Sequence, residues 1–120
     1  MKILRSFIYA FNGLKICFSS EVNFRIHVLL ATLAISLGFL LHLSISEWLV
    51  IIGCIAFVIV MEMVNTAIEK LCDVVHQDIH ATIKKVKDIA AGAVLFSAAG
   101  SLLIGVIIFL PKIIVLLKTL

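Results

Sequence analysis

Three long apolar runs dominate this chain of 120 residues and leave it few ways to fold. The first extends from about Val28 to Ile45, interrupted only by Ser, Thr, Gly and His42. The second begins at Trp48 and stays uncharged as far as Met61, and the third runs from Ile89 to Leu110, just before Pro111. The first and third approach the roughly 20 residues with which a helix crosses hydrocarbon. The second, taken as about 48–71, reaches that length only by including Glu62 and Asn65. The whole chain is 63% hydrophobic and 14% charged, whereas a soluble domain has roughly half apolar and about a quarter charged residues. That excess excludes a water-soluble globule. The expectation is an all-α membrane protein, a single domain over 1–120 with spans at about 28–45, 48–71 and 89–110.

Charge placement orients the spans. The segment His42–Trp48 contains no Lys or Arg, while Lys2, Arg5, Lys15 and Arg25 precede the first span and Lys70, Lys84, Lys85 and Lys87 flank the second connection. By the positive-inside rule the N-terminus and the 70–88 segment are cytoplasmic, and Lys112 and Lys118 are a minority outside. Ser46 before Glu47 suggests an N-cap with an acid in the first turn, and Trp48 suits a membrane interface. Residues 1–26 form a separate region. Ile3, Leu4, Phe7, Ile8, Phe11, Leu14 and Phe18 recur at helical spacing among polar residues, the pattern of an amphipathic helix lying in the interface or packed on the bundle. No cleavable signal is expected, because no apolar h-region follows the basic start. Cys17, Cys54 and Cys72 are odd in number and widely spaced, which argues against a disulfide framework.

The acids of the second run are its chemical signal. At about 100° per residue, Glu62, Asn65, Thr66, Glu69, Asp73 and His76 share one side of a helix, and Val64, Ala67, Ile68 and Leu71 the other. A carboxylate at bilayer depth costs several kcal/mol unless paired, protonated or hydrated. A hydrogen-bond network between helices would need only Ser, Thr or Asn. Two further clusters flank the stripe: Glu21-Val-Asn-Phe-Arg-Ile-His27 before the first span, and Lys84-Lys-Val-Lys-Asp-Ile-Ala90 before the third. Acids for a divalent metal, lysine for phosphate and a carboxylate able to take a proton are the ingredients of phosphoryl transfer. Plainer readings stand beside this one. Glu21 and Arg25 are spaced for a surface ion pair, and Lys84 and Lys85 for the positive-inside signal alone. Cys72, His76 and His80 could be offered to zinc, but one helix stripe rarely surrounds a tetrahedral ion. No Walker-type glycine loop is present, and nothing suggests a nucleic-acid partner.

Glu62-Met-Val-Asn-Thr-Ala-Ile-Glu69, followed by Asp73 and by Lys87-Asp88, resembles the signature of the prokaryotic diacylglycerol kinase and undecaprenol kinase family. The resemblance covers almost the whole chain, and Glu21 before the first span matches too. It implies a homotrimer in the bacterial inner membrane that transfers the γ-phosphoryl group of MgATP to a lipid hydroxyl. By motif position Glu62 is the general base, Glu21 and Glu69 hold Mg²⁺ on the nucleotide, and Asn65 and Asp73 support the site. Tyr9, Glu21, Glu69, Asp78, His80, Lys87 and Asp88 are the implied nucleotide contacts. Lys2, Arg5, Arg25 and His27 are further candidates for lipid or nucleotide. Glu21-x-Asn23-Phe-Arg25-x-His27 is similar to the undecaprenol kinase branch, which favours undecaprenol over diacylglycerol as acceptor. The competing reading is a small channel or transporter subunit that uses the acidic stripe for ions or protons. It leaves Glu21 and Lys87 without a role.

Overall fold

The computed structural model describes residues 1–75 and 80–120, and every regular element in them is helical. The order is α1 (Lys2–Ser20), α2 (Val22–Leu40), α3 (Ile45–Val75) and α4 (Ala81–Lys118). α2, α3 and α4 are each long and apolar enough to cross a membrane. α3 is the central element and packs against both α2 and α4, while α1 adds lighter contacts with α2 and α3.

A single extended residue, Glu21, separates α1 from α2. Residues 22–26 therefore belong to the first spanning helix rather than to the surface region. α1 stops there because Glu21 leaves helical geometry, with φ −118° and ψ 112°. Glu21 N–H donates to the Cys17 carbonyl at 3.0 Å, and the Ser20 hydroxyl to the Ile16 carbonyl at 2.7 Å. Ser and Thr side chains compete in this way with continued helix. The apolar side chains of α1, from Ile3 to Phe18, are mostly exposed, as an interfacial helix requires before lipid covers it.

The other end of α2 falls earlier than the apolar run suggests, at Leu40 rather than Ile45. His42 takes a left-handed φ of 55°. Leu43 N–H donates to the Gly38 carbonyl at 3.2 Å and His42 N–H to Phe39 at 3.4 Å, the paired bonds of a Schellman stop. α3 starts at once, by a capping box built on Ser44 rather than Ser46. Glu47 N–H donates to Ser44 Oγ at 3.2 Å and Ser44 N–H to Glu47 Oε1 at 2.9 Å. The Ser-x-x-Glu spacing satisfies two donors that the helix start would leave bare, which Ser46 could not do with its acid adjacent.

This corner packs tightly. An added Cβ on Gly38 would lie 2.7 Å from Trp48 Cη2 and 3.0 Å from Leu43 Cδ1, and Trp48 is itself packed on Phe39 with ring centroids 4.8 Å apart. Gly38→Ala is therefore expected to destabilise the fold by about 1–3 kcal/mol, the usual cost of overpacking. A lower thermal midpoint in detergent checks this; an unchanged midpoint would show that the indole moves freely.

α4 runs past both ends of the apolar stretch 89–110 and continues through Pro111. Proline removes one backbone donor, a loss that neighbouring contacts make tolerable in membrane helices. Beyond the proline, Lys112 Nζ lies 3.1 Å from Glu47 Oε1, and Ile113 packs on the cluster of Leu43, Ile51 and Phe109.

Candidate active site

The polar layer is assembled from three helices. On α3, Ile51, Val58, Glu62 and Thr66 are all buried. Their spacings of seven, four and four are helical repeats, so the face that packs apolar side chains in one half of α3 becomes polar at Glu62 without turning. Val64 and Leu71 are exposed on the opposite side. Glu62 is only 3% exposed, and its Oε1 lies 3.1 Å from His27 Nε2 on α2. The Thr66 hydroxyl donates to the Glu62 carbonyl at 2.9 Å, so it is satisfied within the helix. Asn65 Nδ2 donates to Glu69 Oε1 at 3.2 Å. The Asn65 side-chain oxygen is buried without a hydrogen-bond partner, an arrangement that costs about 1–3 kcal/mol unless a ligand supplies the donor.

Depth separates these acids. Glu62 is fifteen residues along α3 from Glu47, which marks the capped end. At 1.5 Å per residue that is about 22 Å, within the roughly 30 Å of hydrocarbon. Glu69 lies about 33 Å along and Asp73 about 39 Å, both farther than that thickness. The stripe therefore extends along α3 over a length greater than one hydrocarbon thickness.

Glu21, at the break before α2, and Glu69 are both near enough for their charges to act on Glu62. Lys87 closes the layer from α4, with Nζ 2.6 Å from Asp73 Oδ1 and Glu69 within electrostatic reach. An apolar groove of about 720 Å³ between α2, α3 and α4 ends at this layer. His27 lines its inner end, and Ile55, Leu102 and Phe109 lie farther along.

The remaining candidates are more dispersed. Asp88 pairs with Lys84 at 2.7 Å, both largely exposed, as an i,i+4 contact worth a few tenths of a kcal/mol. Arg25 turns back to the Phe18 carbonyl at 3.4 Å rather than pairing with Glu21, a cation placed at a helix C-terminus. Tyr9 is exposed on α1, about 18 Å of helix from Glu21, with Arg5 about 24 Å away and Lys2 beyond it. His80 caps α4, its Nδ1 accepting from Thr82 N–H at 3.2 Å. Asp78 and His76 lie outside the described residues. Cys72 is buried on α3. Among the described residues no three His, Cys, Asp or Glu side chains converge as a ready-made metal site. Local spacing placed His27 near the site but carried no sign that its partner would be Glu62.

Fold and site together define a class: a multi-span membrane protein with a buried carboxylate, two nearby acids and a lysine at one face. The sequence profile of the prokaryotic diacylglycerol kinases matches residues 8–109. The chain is 40% identical over 111 residues to the undecaprenol kinase of Bacillus subtilis, covering 92% of this chain and 90% of that protein. It is 36% identical over 116 residues to a diacylglycerol kinase of Synechocystis, covering 96% of this chain but 66% of that longer protein. A diacylglycerol kinase of Helicobacter pylori is 35% identical over 93 residues, 77% of this chain and 72% of that protein. The chain belongs to the prokaryotic diacylglycerol kinase family. It is a lipid kinase, and its family implies ATP as phosphoryl donor.

Proposed function

We propose that this enzyme phosphorylates undecaprenol in preference to diacylglycerol, using the layer of Glu21, Glu62, Asn65, Glu69 and Lys87. The observation that carries the site assignment is Glu62, a carboxylate buried at 3% exposure and paired with His27, within a helix long and apolar enough to cross a membrane. Only an acceptor that itself resides in the membrane brings a hydroxyl to that level. In the proposed reaction the lipid oxygen forms the new bond to the γ-phosphorus as the bond to the β-phosphate oxygen breaks. The hydroxyl proton passes to Glu62, and ADP leaves with the displaced oxygen. A carboxylate withdrawn from water is suited to that transfer.

The nucleotide is read at the wetter end of the stripe. Mg²⁺ takes oxygen ligands and is usually held by one or two carboxylates together with phosphates and waters. Glu21 and Glu69 fit such a donor set, and the unpartnered Asn65 oxygen adds an acceptor beside it. Mg²⁺ held there would neutralise charge on the phosphates. Lys87 adds a positive point charge on the same side, while Asp73 holds its ammonium in place. Tyr9, Asp78, His80 and Asp88 are proposed nucleotide contacts, and Lys2, Arg5 and Arg25 contacts at the membrane surface. The working unit is proposed to be a homotrimer in the bacterial inner membrane. Eight of the ten basic residues lie in 1–25 or 70–87, which supports a cytoplasmic N-terminus and second connection.

Undecaprenol is favoured by the Glu21-to-His27 pattern and by 40% identity over 92% of the chain to an undecaprenol kinase. The test is transfer of labelled phosphate from MgATP to a panel of lipid alcohols by the purified protein. Label on undecaprenol is expected. Label on diacylglycerol alone would reverse the preference, and label on neither would refute both acceptors.

A further inference from the structure

We infer that His27 is a positioning residue for the reaction. Its Nε2–H holds Oε1 of Glu62 and leaves the second carboxylate oxygen to receive the acceptor's proton. This inference rests on the reading of Glu62 as the base.

The observations converge from separate parts of the fold. Glu62 is almost wholly buried, and its imidazole partner, at 3.1 Å, comes from a different helix. The other groups that act most strongly on it, Glu21 from the α1–α2 break and Glu69 from α3, are like-charged and offer it no donor. A buried carboxylate needs a partner for its lone pairs, and here His27 supplies it. For Glu62 to accept a proton it must be ionised, and Nε2 must then carry the hydrogen of the contact. A carboxylate has two oxygens. With Oε1 occupied, the remaining oxygen becomes the acceptor, and rotation of the group is restrained. His27 also forms the wall of the groove at its inner end. The Glu62 side chain is 4% exposed and that of His27 20%, so the contact is largely withdrawn from water, where a hydrogen bond is stronger.

The alternative is that the contact merely satisfies a buried charge so that α2 and α3 can pack. The two roles differ in what a substitution moves. A structural contact affects folding and every kinetic parameter together, whereas a positioning contact affects turnover and requires only a donor of suitable reach.

Phosphorylation of undecaprenol is measured with purified His27→Ala, His27→Gln, Glu62→Gln and the double variant His27→Ala/Glu62→Gln, with ATP binding determined for each. His27→Ala is expected to lower kcat by about 10- to 100-fold, as loss of an orienting partner does elsewhere, without a matching change in ATP binding. His27→Gln, which keeps an N–H donor, should recover most of that loss. The double variant should be no slower than Glu62→Gln alone, because two residues acting as one unit are not additive. Wild-type kcat in His27→Ala beside an inactive Glu62→Gln would overturn the positioning role and leave the base assignment intact. Equal loss in the Ala and Gln variants together with lost ATP binding would also overturn it, assigning the contact to folding. Full turnover by Glu62→Gln would instead remove the base reading itself.

Discussion

Glu62→Gln is expected to lower lipid phosphorylation by about 10²- to 10⁴-fold, the range that general-base catalysis contributes. The substitution nearly conserves volume, so it opens no cavity against Val58 and Thr66 on the same buried face. It removes the proposed proton acceptor and little else. Glu69, which is proposed to meet the nucleotide, lies two turns farther along α3 at about 10 Å. ATP binding should therefore survive. Parallel measurement of kcat and of nucleotide affinity in detergent checks both halves. Turnover close to wild type would mean that the hydroxyl proton goes elsewhere.

Glu69→Ala is expected to act at the other end of the stripe and with the opposite kinetic signature. Loss of this carboxylate should raise KM for MgATP and reduce kcat/KM by about 100-fold, on the order of 2.7 kcal/mol. Two effects combine. A proposed oxygen ligand of the nucleotide's metal disappears, and Asn65 Nδ2 loses the acceptor that holds it at 3.2 Å. The already unpartnered oxygen of the same amide is then free to turn. Titration with MgATP at saturating lipid gives the result. A drop in kcat with unchanged KM would move Glu69 from nucleotide binding to the chemical step.

Much of this layout was legible because helical periodicity is local. Glu62, Asn65 and Glu69 could be put on one side of a helix by spacing alone, and their shared face is the buried or half-buried one in the structure. Hydropathy located three spans for the same reason: the cost of leaving backbone polar groups in hydrocarbon forces helix wherever the run is long enough. Boundaries were less legible. The end of α2 depends on the Schellman bonds of His42 and Leu43, and the start of α3 on Ser44 meeting Glu47. The apolar residues there continue without a break. α4 passes through Pro111, and beyond it Lys112 and Ile113 find partners on other elements. Composition around the proline carries no record of them.

Hydropathy and the charges between the runs alone determined that this chain enters a membrane and which end of it carries the polar chemistry. Those properties follow from solvation, which each segment meets on its own. Which polar groups touch was decided only by the tertiary structure. His27 meets Glu62 across 35 residues of chain, and Lys87 meets Asp73 across fourteen. Both contacts exist because α3 packs between α2 and α4. The axial positions of those helices, set by side-chain packing along their whole length, bring one imidazole and one ammonium to the level of the acids.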